Sequence, residues 1–289
     1  MSKSPGKIYV VATPIGNLGD MTTRAIEVLS SVDLILAEDT RHSIPLLRHF
    51  QIQTRCQAFH EHNEISVAAS VCERVKQGES VAIISDAGVP LISDPGFPLV
   101  RMAHENKLPV VSIPGACAAI SAISVAGLAT DRFTFEGFLP AKSGAKRKVL
   151  ETLLDESRTM IFYESPRRVI DTLKIMLELF GENRQAVLAR ELTKLFETVH
   201  KASLPELLHF VESDSNQVKG EIVLLLEGIQ KEETDEDEEE LKRILSVLLE
   251  ELSVKQAVSI AMNLKNLKRN QVYPIALELK KISEDSESL

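Results

Sequence analysis

The sequence predicts an α/β protein built from two α/β domains, followed by a small helical appendix at the C-terminal end. Short apolar runs rich in β-branched residues alternate with helical patterns through the first half of the chain. Such alternation implies right-handed crossovers and a mainly parallel sheet. Near Gly137 the alternation gives way to a polar, basic stretch, where we place a domain boundary. An acidic run and three amphipathic stretches close the chain and predict a linker followed by helices.

The first predicted domain, residues 1–136, contains strands joined by helices. Its strands are continuous apolar runs, which suit a sheet that is covered on both faces: Ile8–Ala12, Asp33–Ala37, Ser80–Ser85 and Val110–Ile113. Capping and periodicity predict helices from Thr22 or Thr23 to Ser31, near 65–77 and near 98–106, with an alanine-rich helix after Pro114-Gly115.

The second predicted domain, residues 137–229, has a mixed sheet with helices. Strands are expected near Thr159–Tyr163, Ala186–Arg190, Glu197–Ala202 and Glu221–Leu226, and helices near Pro166–Phe180 and Leu204–Ser213. An acidic linker over 230–240 and a helical appendix over 241–289 follow. The appendix has helical stretches at Glu239–Glu251, Ser253–Asn263 and Arg269–Lys281, which fit either a helix-turn-helix or a plain α-hairpin.

Composition excludes several classes of protein. The 289 residues are 44% hydrophobic and 26% charged, which is typical of a globular chain and not of a disordered one. No apolar run approaches the roughly 20 residues that span a bilayer, and the start lacks a signal-peptide pattern, so we expect a cytoplasmic protein. The three cysteines, Cys56, Cys72 and Cys117, lie too far apart to indicate a disulfide framework or a zinc site.

The net charge of −9 is unevenly distributed. The run from Glu232 to Glu240 holds eight acidic residues, and without them 34 of the 42 acids remain against 33 bases, a net of −1. The rest of the chain is therefore nearly neutral, and the acidic total does not exclude a polyanionic partner.

Polar loops that follow the predicted strands are candidates for a binding site. They comprise Thr13–Gly19, Glu38–His42, Asp86–Gly96 and Pro114–Cys117, and ligands bind at the carboxyl ends of strands in open parallel sheets. No dinucleotide fingerprint, phosphate loop or metalloprotease motif occurs, and no metal is expected. The aspartates of the third loop suit ammonium or hydroxyl groups of a ligand, although a rigid loop with Asx turns explains them equally well.

Candidate residues for acid–base catalysis follow the predicted strand Asp33–Ala37 and precede the predicted helix near 65–77. Glu38, Asp39 and His60 are each potential general bases, and the guanidinium of Arg41 is suited to binding a phosphate. A helix N-terminus with acids in its first turn is the alternative for Glu38–His42. His60 and His62 lack a third metal ligand.

A basic wall in the second domain suggests contact with RNA phosphates, whose affinity would fall with salt. Its candidate residues are Lys142, Lys146, Arg147, Arg167, Arg168, Arg190 and Lys194. Aromatic residues are only 4% and tryptophan is absent, so no base-stacking platform is indicated.

Seven motifs in a fixed order resemble one family. They are Ala12–Thr22, Glu38–Arg41, Ser85–Gly96, Pro114-Gly115, Phe162–Arg168, Ala189–Lys194 and Gly220-Glu221. This combination over residues 7–228 is similar to the small-subunit ribosomal RNA 2′-O-ribose methyltransferases that modify a decoding-centre cytidine, which share a fold with the tetrapyrrole methylases.

The resemblance implies S-adenosylmethionine as methyl donor in a cleft between the two domains, 16S rRNA or the small ribosomal subunit as substrate, and a homodimer. The implied donor contacts are Pro14, Asp86, Val89, Cys117, Ala118, Phe162, Ala189 and Gly220. Asp94 is an alternative to Asp86, because Ser85-Asp86-Ala87 stands where the superfamily reads Gly-Asp-Pro and Asp94-Pro95-Gly96 echoes that motif downstream.

Two other functions remain open from the sequence. A small-molecule methylase of the same fold, for example one acting on a tetrapyrrole, is disfavoured by the basic clusters and the helical tail. A catalytically silent ribosome-binding protein leaves the polar strand-end loops without a role. In the favoured interpretation, Glu38, Asp39 or His60 supplies the base and Arg41 orients a phosphate.

Overall fold

The computed structural model describes residues 6–60, 63–229, 235–265 and 267–287, without the side chains of 235–238 and 282–287. His62 and the first part of the predicted linker, 230–234, lie outside the described residues. The chain divides into two compact units, Met1–Ile229 and Gln230–Leu289.

The first sheet of the larger unit is fully parallel, as the alternation of strands and helices predicts. Its order is β3-β2-β4-β1-β5. The strands are β1 (Ile8–Val11), β2 (Leu34–Ala37), β3 (Cys56–Ala58), β4 (Val81–Ile84) and β5 (Val110–Ile113). The helices are α1 (Thr23–Ser31), α2 (Thr40–His49), α3 (Glu64–Lys76), α4 (Phe97–Glu105) and α5 (Ala118–Val125). Apolar clusters on both faces bury β2 and β4 throughout.

Two elements of the first domain, helix α2 and strand β3, are not among the predicted helices and strands, although a helix N-terminus was the alternative for Glu38–His42. Helix α2 contains Pro45, which argues against a helix in a local reading, and it is started by Asp39, whose carboxylate accepts a hydrogen bond from the Arg41 amide at 2.8 Å. Strand β3 has only three residues and lies at the sheet edge. Both elements carry candidate catalytic residues at their ends.

The second sheet is mixed, with the order β6-β7-β10-β8-β9. Only β6 and β7 pair in parallel. The strands are β6 (Phe133–Phe138), β7 (Thr159–Glu164), β8 (Gln185–Arg190), β9 (Thr198–Ser203) and β10 (Ile222–Leu226), and the helices are α6 (Ser143–Glu151), α7 (Val169–Phe180) and α8 (Leu204–Ser213).

Helix α5 of the first domain packs against one face of the second sheet. Ala119, Ala122 and Ile123 of α5 pack against Val187 and Val223 of that sheet. Helices α7 and α8 cover the opposite face. Because α5 begins directly after β5, this packing brings the carboxyl edge of the first sheet against the second.

Strand β6 starts at Phe133, so the predicted boundary between residues 136 and 137 falls within a strand of the second sheet. The basic stretch that follows lies at the N-cap and in the first turns of helix α6.

The smaller unit is a three-helix arrangement of α9 (Asp235–Glu251), α10 (Val254–Lys265) and α11 (Arg269–Glu287). Its apolar core includes Leu241, Leu245, Ala257 and Val272. Residues 235–240, expected as linker, form the start of α9. None of the helices described is both long and apolar enough for a bilayer span.

Candidate functional site

A cavity of about 350 Å³ lies between the second sheet and the carboxyl ends of the strands of the first sheet. This volume lies in the range of roughly 300–1,000 Å³ found for small-molecule sites. Its lining includes Ile15, Glu38, Asp86, Val89, Asp94, Cys117 and Ala118 from the first domain, and Tyr163, Glu164, Ala189, Leu192, Gly220 and Glu221 from the second.

A pair of backbone hydrogen bonds joins the loops after β1 and β4, which carry the cavity residues Ile15, Ala87 and Val89. The amide of Thr13 donates to the carbonyl of Gly88 at 2.9 Å, and the amide of Gly88 donates back at 3.1 Å. Gly88 has φ +82°, and a Cβ there would lie 3.3 Å from Ile15 Cγ2 and 3.7 Å from the Ala116 carbonyl oxygen. Glycine therefore permits both the backbone conformation and the close approach of three loops.

Three carboxylates, Glu38, Asp86 and Asp94, form one wall of the cavity. Burial raises the pKa of Asp94 to about 6, with further contributions from the charges of Glu38 and Asp86. Asp86 accepts from the Asp39 amide at 3.2 Å and contacts His42 Nδ1 at 2.9 Å. The hydrogen bond to Asp86 raises the pKa of His42. Within the described ranges no lysine or arginine lines the cavity, which therefore suits a positively charged ligand and not a polyphosphate.

Tyr163 forms part of the opposite wall. Its hydroxyl accepts from the Ala119 amide at 3.3 Å, and its ring packs edge-on against Phe135 and Phe138. Burial raises the pKa of Tyr163 to about 12, so the phenol stays neutral. The small residues beside it, such as Cys117 and Ala189, leave room for a flat ligand group.

Backbone strain is concentrated in two loops that reach the cavity from opposite sides. Leu91 and Ser93 have φ of 72° and 67°, and Glu191 and Thr193 have φ of 52° and 68°. Each such residue costs on the order of 1 kcal/mol, and strain of this kind clusters at ligand sites.

A buried polar network supports the end of β7 at the cavity. Glu164 is 3% exposed, and its carboxylate accepts from the Ser165 amide at 2.7 Å, from Thr172 Oγ1 at 2.6 Å and from Arg168 at 2.6 Å. Glu164 is not among the candidate residues predicted from the sequence, although an acid at the end of an apolar strand, just before Ser-Pro-Arg-Arg, indicates a polar group at a strand end.

Most of the expected donor contacts meet at this cavity. Its lining contains Asp86, Val89, Asp94, Cys117, Ala118, Ala189 and Gly220. Pro14 is buried and does not line it. Phe162 does not line it either, because side chains alternate along β7. Phe162 faces the core under α7 with no exposure, and Tyr163 faces the cavity.

The four candidate catalytic residues separate in space. Glu38 lines the cavity, whereas Asp39, Arg41 and His60 do not. Asp39 caps α2 and pairs with Arg41 at 2.6 Å, and this hydrogen bond lowers the pKa of Asp39 to about 2, which makes it a poor base. The amide of His60 donates to Asn63 Oδ1 at 2.9 Å just after β3.

An RNA contact by Lys146 or Arg190 is contradicted by burial. Lys146 has no exposure, and its ammonium donates to Asp171 at 2.7 Å and to Thr172 at 2.8 Å. Arg190 is 7% exposed and donates to the Phe196 carbonyl at 3.0 Å. Both side chains form hydrogen bonds between segments of the second domain.

The other basic candidates differ in whether their side chains are exposed or already bonded to groups of the protein. Lys142 and Arg167 are exposed. Arg147 pairs with Glu178, and Lys194 pairs with Glu191 at 2.7 Å. Arg168 is held by Glu164 and by the Leu139 carbonyl.

Comparison with protein families gives two matches. Residues 7–208 match the family model of Tetrapyrrole (Corrin/Porphyrin) Methylases, and residues 235–280 match that of the RsmI C-terminal HTH domain. The chain is 50% identical over 275 residues to the ribosomal RNA small subunit methyltransferase I of Escherichia coli O157:H7, covering 95% of this chain and 96% of that protein. It is 51% identical over 276 residues to the protein of the same name from Pseudomonas aeruginosa, covering 95% and 98%.

Solved structures share the fold of the larger unit at low identity. The methyltransferase CobJ aligns with a TM-score of 0.57 at 18% identity, covering 77% of this chain and 94% of that chain. Diphthine synthase aligns with a TM-score of 0.56 at 13% identity, covering 76% and 89%. The fold is thus of the tetrapyrrole methylase type, as expected from the sequence motifs.

Proposed function

Since the chain belongs to the ribosomal RNA small subunit methyltransferase I family, within the tetrapyrrole methylases, we propose that it methylates the ribose 2′-oxygen of a decoding-centre cytidine in 16S rRNA. The protein is a methyltransferase that uses S-adenosylmethionine as donor and ribosomal RNA as substrate. The observation that carries the site assignment is the cavity, whose lining contains five acidic residues and, along the described chain, no lysine or arginine.

The residues present fit the donor by charge and by shape. S-adenosylmethionine carries a sulfonium and an ammonium group, and Asp86 and Asp94 offer carboxylates to them or to the ribose hydroxyls. Val89, Cys117, Ala118, Ala189 and Gly220 would accommodate the flat base. When bound, the donor supplies a methyl group on a sulfonium, which is electrophilic without further activation.

The chain's own contribution to the reaction is alignment and removal of a proton. Holding the ribose oxygen in line contributes up to roughly 7–11 kcal/mol in favourable cases. Glu38 is the base candidate that remains at the cavity, and Asp94, with its raised pKa near neutrality, is the second. The low pKa of Asp39 and the position of His60 disfavour them.

The remaining assignments also belong to this proposal. The exposed Lys142 and Arg167 and the guanidinium of Arg41, 85% exposed, are candidates to hold rRNA phosphates. We assign a homodimer, a cytoplasmic location and the division into 1–136, 137–229, 230–240 and 241–289 on the resemblance and the sequence pattern.

The proposal is tested by methyl transfer from labelled S-adenosylmethionine to small ribosomal subunits that lack the modification, with the product mapped by mass spectrometry. We expect one methylated cytidine ribose. Glu38→Gln should lower turnover by about 10²–10⁴-fold with donor affinity unchanged, as for loss of a general base. Asp39→Asn is the matched control outside the cavity. Transfer to a base nitrogen or carbon, or no transfer despite calorimetric donor binding, would refute the assigned reaction.

A further inference from the structure

The acidic total of the chain conceals a basic segment in the smaller unit. Residues 252–281 contain six bases and a single acid, Glu278, a net of +5. Lys265 of this segment pairs with Glu240 of α9. The other five bases are Lys255, Lys268, Arg269, Lys280 and Lys281, and all are exposed.

Four of these bases border one groove. The start of α10 contributes Ser253, Val254 and Lys255, and α11 contributes Arg269, Tyr273, Leu277, Lys280 and Lys281. Arg269, Tyr273 and Leu277 recur at intervals of four residues, so they share one face of α11. In the part of the unit that is described, Lys255, Arg269 and Lys281 form no ion pair, so their charges are available to a ligand.

An aromatic ring and a helix end lie in the same groove. The guanidinium carbon of Arg269 lies 5.3 Å from the ring centre of Tyr273, which is 36% exposed. This distance is within the range of a cation–π contact, and both an exposed phenol ring and a guanidinium are groups on which nucleic-acid bases stack. Ser253 precedes the first turn of α10, and its hydroxyl donates a hydrogen bond to Gln256 Oε1 at 2.7 Å. Because Ser253 and Lys255 both line the groove, the positive end of the α10 dipole lies beside the basic side chains.

We propose that this groove is a second RNA-binding site, in which Lys255, Arg269 and Lys281 hold phosphates and Tyr273 stacks on an unpaired base. The inference rests on the proposed function, since it takes ribosomal RNA as the ligand. RNA is favoured over an acidic protein because the groove combines separated cations with an exposed aromatic ring, a combination that matches an alternation of phosphates and bases. The smaller unit thereby adds affinity for the ribosomal RNA.

The test measures binding of the full-length protein to a 16S rRNA fragment containing the decoding region, across a series of salt concentrations. The triple variant Lys255→Ala, Arg269→Ala, Lys281→Ala should bind at least about 10-fold more weakly at moderate salt. The slope of log affinity against log salt should fall in magnitude by about 2, since each lost phosphate contact removes roughly 0.7–0.9. Arg269→Ala should weaken binding more than Arg243→Ala, which removes an exposed arginine of α9 outside the groove.

Stacking is tested separately. Tyr273→Phe should bind RNA like the wild type, whereas Tyr273→Leu should lose at least about five-fold, because a stacked base contributes on the order of 1 kcal/mol or more. Circular dichroism of each variant checks that helical content is retained.

The outcomes distinguish the inference from the proposed function. A triple variant with wild-type affinity and salt slope, in a protein that still methylates subunits, overturns the groove assignment alone. Weaker binding to intact subunits with unchanged binding to naked RNA also overturns it, and indicates an acidic protein as the occupant. A wild type that binds the donor but methylates no ribosomal RNA refutes the proposed function, and the RNA-binding comparison is still decided independently.

Discussion

Asp94→Asn should stabilise the protein at neutral pH while it lowers activity. Asp94 is half-buried beside Glu38 and Asp86, and these surroundings raise its pKa from 3.8 to about 6. A raised pKa means that the folded state binds the proton more tightly than the unfolded state does. Stability contributed by the protonated form is therefore lost as pH rises from about 4 to about 6, and the ionised form is unfavourable above that range.

The size of the effect follows from the shift. About two pKa units at 1.36 kcal/mol per unit correspond to about 3 kcal/mol, which we reduce to about 1–2 kcal/mol because solvent screens a half-exposed carboxylate. Asparagine has nearly the same shape and carries no charge, so Asp94→Asn should recover this amount at pH 7.5 and nothing at pH 4. Turnover should fall at least about 10-fold, because the variant loses a carboxylate at the cavity.

The assay is urea unfolding at pH 4, 5.5 and 7.5, paired with methyl transfer and donor calorimetry at pH 7.5. Asp131→Asn, at an exposed site, is the control and should change stability by less than about 0.5 kcal/mol at every pH. If Asp94→Asn differed from the wild type by the same amount at pH 4 and 7.5, the electrostatic argument for the acidic wall would be refuted.

Two further perturbations address the polar network and the cavity. Lys146→Ala should lower the free energy of unfolding by about 2–4 kcal/mol, since it removes a buried ammonium bonded to Asp171 and Thr172, whereas Lys148→Ala on the exposed side of α6 should cost less than about 0.5 kcal/mol. Similar urea midpoints for the two variants would contradict the structural role of Lys146. Ala189→Leu should weaken donor binding at least about 10-fold in calorimetry, because the added carbons enter the cavity, and an unchanged affinity would exclude Ala189 from the donor site.

Local sequence patterns were sufficient to predict the architecture of the first sheet and the edge of the sheet at which the cavity lies. Continuous apolar strands and their polar, glycine- and proline-containing loops predicted a parallel sheet with its loops at one edge, and the structure brings Glu38, Asp86, Asp94 and Cys117 together there. These features are visible locally because strand periodicity and loop chemistry depend on neighbouring residues along the chain.

Elements with a weak local signal were decided by tertiary packing. The three-residue strand β3 and the proline-containing helix α2 form because β2 and the first-domain core accept them. The exposed phenylalanines of β6 give no buried-strand pattern in the sequence, and parallel pairing with β7 makes this segment part of the second sheet.

The roles of individual charged residues depended most on the tertiary structure. Lys146 and Lys142 are alike in sequence, but only Lys146 meets Asp171 and Thr172, which lie 25 and 26 residues away, and is buried. Asp39 and Asp94 are both aspartates after strands, yet the guanidinium of Arg41 lowers the pKa of one and burial raises that of the other. Burial and ion pairing depend on groups that are distant along the chain, so a residue type at a given spacing predicts where a site lies but not which of its side chains is free to act.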